Sequence, residues 1–196
     1  MPRFPFITWK KFIWEQLHRT EGAELIEFAA SLPLLVVFVV GVYDFSSAFI
    51  LKQKIAHIAA EAARVAANEP MSDVANGGCP ASICAVRNIV DQALINNGID
   101  DCGLGSASPT RTALTYTFSA GGCSGGSLRL KINRGYTYTA TLPEPPFQAN
   151  YTIEATQVTL SYPHQWQFNR VVGFIAPGAN FANSAIQSVA VAQDMN

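Results

Sequence analysis

The apolar residues of this chain change their spacing three times, and each spacing predicts an element. From residue 25 to residue 43 they are nearly continuous, with Glu27 the sole ionised side chain. A helix rising about 1.5 Å per residue over that length reaches roughly the 30 Å of a bilayer core, so the segment predicts one membrane span. Residues 44–68 are amphipathic instead. Ile55, Ile58, Ala62 and Val65 make one stripe, and Lys54, His57, Glu61, Arg64 and Asn68 make the opposite one. No Gly or Pro interrupts residues 44–68, so the two patterns predict one long helix, half in lipid and half in water. Its alanine-rich second half raises helix propensity and lets a neighbouring backbone approach closely. Asp44 is expected as a solvated acid at the outer membrane boundary.

Beyond Glu69-Pro70, which ends the helix, Asn76-Gly77-Gly78 reads as a loop. Residues 83–96 predict a short helix with Val86, Ile89, Val90, Ala93 and Leu94 inward and Asn97-Gly98 as its stop. Residues 111–118, 128–133, 136–142 and 151–162 are rich in Thr, Tyr, Val and Ile and predict strands. The Gly-rich run around Cys123 predicts a hairpin tip, and it lacks the Gly-Lys-Ser/Thr ending of a phosphate loop. Pro143, Pro145 and Pro146 separate the third strand from the fourth. The expected fold class is α+β: a long N-terminal transmembrane and amphipathic helix, then an antiparallel β-sheet with a short helix. The expected divisions are a leader at 1–22, the long helix at 23–68 with its span at about 25–43, and an α+β domain at 69–196.

Charge and cysteine usage narrow the function classes. A formal net charge of −1 supplies no basic patch to neutralise phosphates, so no nucleic acid is expected as a partner. Cys79, Cys84, Cys102 and Cys123 all follow the span. Their even number on one side of it fits an oxidising compartment and two disulfides, against an alternative of four reduced, buried thiols. Three connectivities are open; nearest neighbours in sequence would join Cys79 to Cys84 and Cys102 to Cys123. The spacings do not suit zinc, and His57 with Glu61 lacks a third ligand, so no metal and no cofactor is called for. His18, His57 and His164 are scattered, without a nucleophile motif. An anchored hydrolase is therefore a weak reading, and no enzyme is expected.

Around the start of the span the residues form a recognisable string. Gly22 is followed by Ala23, Glu24, Leu25 and Ile26, then Glu27 and Phe28. This resembles the prepilin-peptidase site of type IV pilins and their Flp/Tad relatives, in which the cut follows the glycine and the acid is the fifth mature residue. Joined with Pro33, Gly41 and Asp44, the string resembles the opening of the TadE-like family of minor pilins, over about the first third of the chain. Phe28 stands where Flp pilins have tyrosine, as in pseudopilin relatives. The resemblance implies a cut between Gly22 and Ala23, and assembly roles along the helix for Glu27, Phe28, Pro33 and Asp44. It implies a prepilin peptidase, other Tad/Flp pilus subunits and the inner-membrane assembly platform as partners, with membrane lipid. The closing stretch from Val158 onward loosely resembles the family's last pattern, a strand ending in Tyr-Pro, an apolar connection and a small-residue strand.

Physical reasons stand beside the resemblance. Glycine leaves an extended backbone unhindered at a cut. The new α-amino group, of pKa about 7.7 to 8, could be neutralised by Glu27 within or between subunits. Pro33 removes one backbone donor and should kink the span. Arg3, Lys10, Lys11 and Arg19 before the span, against Lys52 and Lys54 after it, favour a cytoplasmic N-terminus. The expected localisation is a bacterial inner membrane, single-pass, with the C-terminal domain periplasmic or in a pilus. Phe6, Trp9, Ile13 and Leu17 recur at helical spacing, so the leader could lie on the inner leaflet. Residues 171–176 are too few to span and predict a core or membrane-facing patch. Tyr162, Trp166, Phe168 and Phe174 are expected chiefly as core filling. The competing function is a membrane-tethered periplasmic binding module for carbohydrate or peptide, which would have no use for the Gly22 to Glu27 string.

Overall fold

The computed structural model describes residues 20–75, 77–144, 147–168, 171, 173, 178 and 184–195. The expected leader helix and Phe174 lie outside the described residues, as does most of 171–176. Helix α1 is Thr20–Asn68, and it runs unbroken through Pro33. The two apolar spacings therefore belong to one helix, because both are compatible with a 3.6-residue repeat and nothing between them stops it. Helix α2 is Ala81–Asn96. Its stop is Asn97, whose N–H and side-chain amide both reach back to the Ala93 carbonyl.

Five strands follow: β1 Pro109–Thr112, β2 Thr115–Ala120, β3 Leu128–Glu144, β4 Phe147–His164 and β5 Ser184–Gln193. They form one antiparallel sheet in chain order β1-β2-β3-β4-β5, the arrangement that short connections between neighbours produce. The architecture is the expected α+β one, with three corrections to strand limits, the first being that Pro143, expected between strands, lies inside β3 opposite Gln148. Residues 111–118 are not one strand, because Thr112 pairs with Thr115 across a two-residue turn in which Ala113 takes φ 53°. Hairpin turns of this length need a positive φ, which usually announces itself as Gly, Asn or Asp. Alanine here gives no such signal. Conversely, 128–133 and 136–142 are one strand whose register shifts between Asn133 and Tyr136, a bulge that interrupts the alternation without ending the ladder.

The chain divides into two compact units, one drawn from Met1–Asp44 and Gln167–Asn180, the other from Phe45–Trp166 and Phe181–Asn196. The second holds the core. Register sets Phe118 beside Leu130 and Leu130 beside Leu160, with Tyr116, Ile132 and Val158 in the next row. All six are fully buried, together with Ile55, Ile58, Ala59, Ala62, Ala63 and Ala66 of α1 and Ile83, Val86, Val90 and Leu94 of α2. The alanine face lets the helix backbone lie close to the sheet, and each large buried side chain contributes about 1.5–3 kcal/mol. Ile89 and Ala93, expected inward, are half-buried.

The β3–β4 hairpin is longer than the sheet around it. Strand β2 leaves β3 at Asn133, and β5 leaves β4 at Ala155. Beyond those points, from Thr137↔Glu154 to Glu144↔Phe147, the two strands pair only with each other among the described residues.

Candidate functional site

The residues singled out by the N-terminal string lie along α1 rather than in a cluster. Gly22 and Ala23 are already helical in its first turn. An extended backbone at that bond thus requires the turn to open, which is cheap where helix N–H groups lack intrahelical acceptors. Glu27 is exposed, as is Phe28, whose carbonyl accepts a hydrogen bond from the Ser31 hydroxyl at 3.0 Å. Asp44 stands seventeen residues from Glu27, about 25 Å along the axis, so the two acids cannot share a site in one chain.

Asp44 differs from its expectation. It is 1% exposed, and its Oδ2 accepts the Phe168 backbone N–H at 2.6 Å. The acid is enclosed within the first unit rather than solvated. One turn earlier, Gly41 presents only hydrogen toward the Phe168 ring, whose edge lies 3.8 Å from where a Cβ would stand. Phe168 is half-buried against this part of the helix.

The outward surface of α1 is apolar well past that point. None of the span's apolar window is buried. Large side chains remain exposed from Leu25 through Val42 and on to Phe45 (70%), Phe49 (64%) and Ile50 (54%). Among the described residues this is the one helix long and apolar enough to cross a membrane.

In the second unit, Cys79 pairs with Cys84 and Cys102 with Cys123. Gly122 lets the second bridge form: its N–H donates to the Cys102 carbonyl at 3.0 Å, and a Cβ there would stand 2.6 Å from that oxygen. The glycine-rich tip is therefore pinned. Asp100, Cys102 and Cys123 lie within 4.8 Å of one another, but the two sulfurs are spent on each other and offer no thiolate to a metal. Tyr162, half-buried beside Cys123, has its phenol pushed up by burial, with Asp100 and Asp101 adding to the effect. Trp166 donates its indole N–H to Ser184 at 3.0 Å and packs against Phe45 and His164. His57 and Glu61 are both exposed on the polar stripe.

Sequence reasoning passed over three polar residues of this unit, and two of them, Arg134 and Asp73, hold it together. Arg134, 2% exposed, donates to the Glu69 carbonyl at 2.7 Å and to Met71 Sδ at 3.1 Å. It thereby ties the bulge of β3 to the end of α1, and burial lowers its pKa. Its signal was Asn133-Arg134-Gly135, which breaks the alternation of a strand. Asp73 accepts from the Ser82 N–H at 2.8 Å and from its hydroxyl at 2.7 Å. Those bonds, led by the backbone one, hold its carboxyl below the usual range. Asp91 is pushed up by burial first and then by the Asp101 carboxyl beside it.

Compared with known families, residues 22–64 match the model described as TadE-like protein. The match is confined to the anchor helix, and it makes that segment similar to TadE-like proteins. No curated protein and no solved structure matches the chain.

Proposed function

We propose, with the TadE-like anchor as premise, that this chain is a structural minor pilin or pseudopilin of tight-adherence pilus assembly. A prepilin peptidase cuts it between Gly22 and Ala23. It then works through its helix, with other pilus subunits, the inner-membrane platform and lipid as partners. The observation that carries this reading is the uncovered apolar face of α1. Such a face is stable against lipid or against other apolar helices, not in water. Glu27, exposed and five residues past Gly22, is available as counter-charge to a neighbouring subunit's new amine. The orientation that goes with this reading has the N-terminus cytoplasmic and the disulfides outside.

Intact mass of the protein from cells with an active pilus system tests the processing. The mature chain should begin at Ala23, and Gly22→Leu should accumulate precursor. A wild-type chain retaining Met1 would sink the reading. Glu27→Ala should still be cut but fail to assemble with its partners, since the amine loses its counter-charge.

One observation favours a second reading. Cross-strand partners share a face, so Tyr136 and Tyr138 of the β3–β4 arm lie on the same side as Tyr151 and Ile153. Tyr138 and Tyr151 are exposed. Aromatic faces in a row can stack on sugar rings, which supports a tethered carbohydrate-binding module. Binding to an oligosaccharide array that is lost in Tyr138→Ala and Tyr151→Ala would favour this module; an array silent for the wild type would remove it.

A further inference from the structure

Between Glu27 and Lys52 the helix carries a single acidic or basic side chain, Asp44. Two membrane registers are open to it. If the outer boundary lies at Asp44, the full span of roughly 30 Å needs residues 25–43 and takes Glu27 into the apolar layer, since residues 28–43 alone give only about 24 Å. Phe45, Phe49 and Ile50, each more than half exposed, then face water. If instead the boundary lies near Leu51, residues 28–51 reach about 36 Å, enough for a tilted helix, and those three side chains face lipid. The acids decide between them. Glu27 is exposed and suits the headgroup level, whereas Asp44 is enclosed and accepts a hydrogen bond from within the chain. An acid tolerated inside an apolar layer faces protein rather than lipid and is paired or hydrogen-bonded.

This register puts Asp44 about 12 Å inward of Lys52 along the axis. Its donor is the Phe168 N–H, a backbone group outside the helix, and it must come to the same depth. We propose that Gln167 and Phe168, early in the β4–β5 connection, enter the outer part of the bilayer beside α1, so that the chain meets lipid a second time. Irregular backbone is tolerated at such depth only where its polar groups are answered by protein, and Asp44 answers the Phe168 N–H. The Phe168 ring on Gly41 closes the seat from the apolar side. The inference rests on the spanning reading of α1 but not on pilus assembly.

The test uses the full chain in phosphatidylethanolamine/phosphatidylglycerol vesicles containing brominated-acyl lipid. Trp9, Trp14 and Trp166 are replaced by Phe, and a single reporter is introduced as Phe168→Trp or, for the span, Phe38→Trp. The expected result is strong quenching of both reporters by bromolipid and little by aqueous acrylamide. Quenching of the Phe38→Trp reporter by lipid, with the Phe168→Trp reporter quenched only by acrylamide, overturns the inference and leaves the span intact. Shielding of the Phe168→Trp reporter from both agents means protein covers it, which also overturns the inference; lipid reaching neither reporter removes the span as well. Should the larger ring disturb the seat, a nitroxide on Gln167→Cys reports the same contrast through oxygen against aqueous nickel accessibility. Asp44→Asn, which keeps an acceptor oxygen, should hold the lipid signal, and Asp44→Leu should shift it toward acrylamide; equal behaviour of the two would show that Asp44 does not seat the segment.

Discussion

Helix α2 begins after Pro80, which has no side-chain acceptor, and the acceptor its first turn needs comes from Asp73, eight residues before the helix starts. A capping carboxylate of this kind stabilises by about 0.5–2 kcal/mol, so Asp73→Ala should lose about 1 kcal/mol in urea unfolding at neutral pH. The lowered pKa fixes the pH dependence. The stabilisation is complete above the ordinary carboxylate range and is lost as pH falls through the lowered value, so wild type and variant should converge in strong acid. Asp91 works in the opposite sense. Its raised pKa means that the folded state holds a proton the unfolded state has released, and stability falls as pH rises across that interval. Asp91→Asn keeps the polar shape and removes the titration. It should therefore be the more stable protein at neutral pH and lose its advantage in acid, where Asp91 is protonated in both states.

The two disulfides close loops of different size, with sequence separations of 5 and 21. On the loop-entropy account the longer one stabilises by about 3 kcal/mol and the shorter by about 2. Replacing Cys102 and Cys123 by Ser should accordingly lower the unfolding midpoint more than replacing Cys79 and Cys84. Arg134→Ala removes a buried charged donor from the Glu69 carbonyl and should cost on the order of 2 kcal/mol. Elements whose signal is periodic were legible in the residues alone: α1 and α2 from their 3.6-residue stripes, and β3 and β4 from the alternation of Leu128, Leu130, Ile132 and Val158, Leu160. What was not legible depended on contacts distant in sequence or on unusual backbone. Ala113 forms a turn without a turn residue, Asp73 caps a helix it does not belong to, and Arg134 finds its acceptor 65 residues away. Asp44 was misplaced for the same reason, since its partner is 124 residues further on.

For the whole molecule, the checkable quantity is which stretches a protease can reach. In spheroplasts the outward orientation expects an added protease to degrade the residues after the span. The loop around Asn76, Gly77 and Gly78 should be cut before residues 55–67, whose inner face is buried in the core. Protection of all residues after the span would reverse the topology, and first cuts between Lys52 and Arg64 would favour a tethered module over a pilin-like subunit. The candidate site itself was readable as a string of residue types but not as an arrangement. Spacing alone could order Gly22, Glu27 and Asp44 along a helix; it could not tell that one acid is exposed and the other enclosed.

The alanine face of α1 also sets a sequence of events during synthesis. Ile55, Ile58 and Ala62 leave the ribosome early, yet the strand residues they are buried with, Leu130, Val158 and Leu160, come much later. At about 5–20 residues per second the wait is on the order of ten seconds. The sheet itself can form by successive hairpins, because every strand pairs with its neighbour in the chain, and such local pairings are fast on that scale. During the interval the helix's apolar stripe stands without its sheet, next to a membrane that would accept it. In the outward orientation proposed above, a holding factor at the point of translocation, or delay in releasing the growing chain, would keep that stripe available to the strands that arrive last.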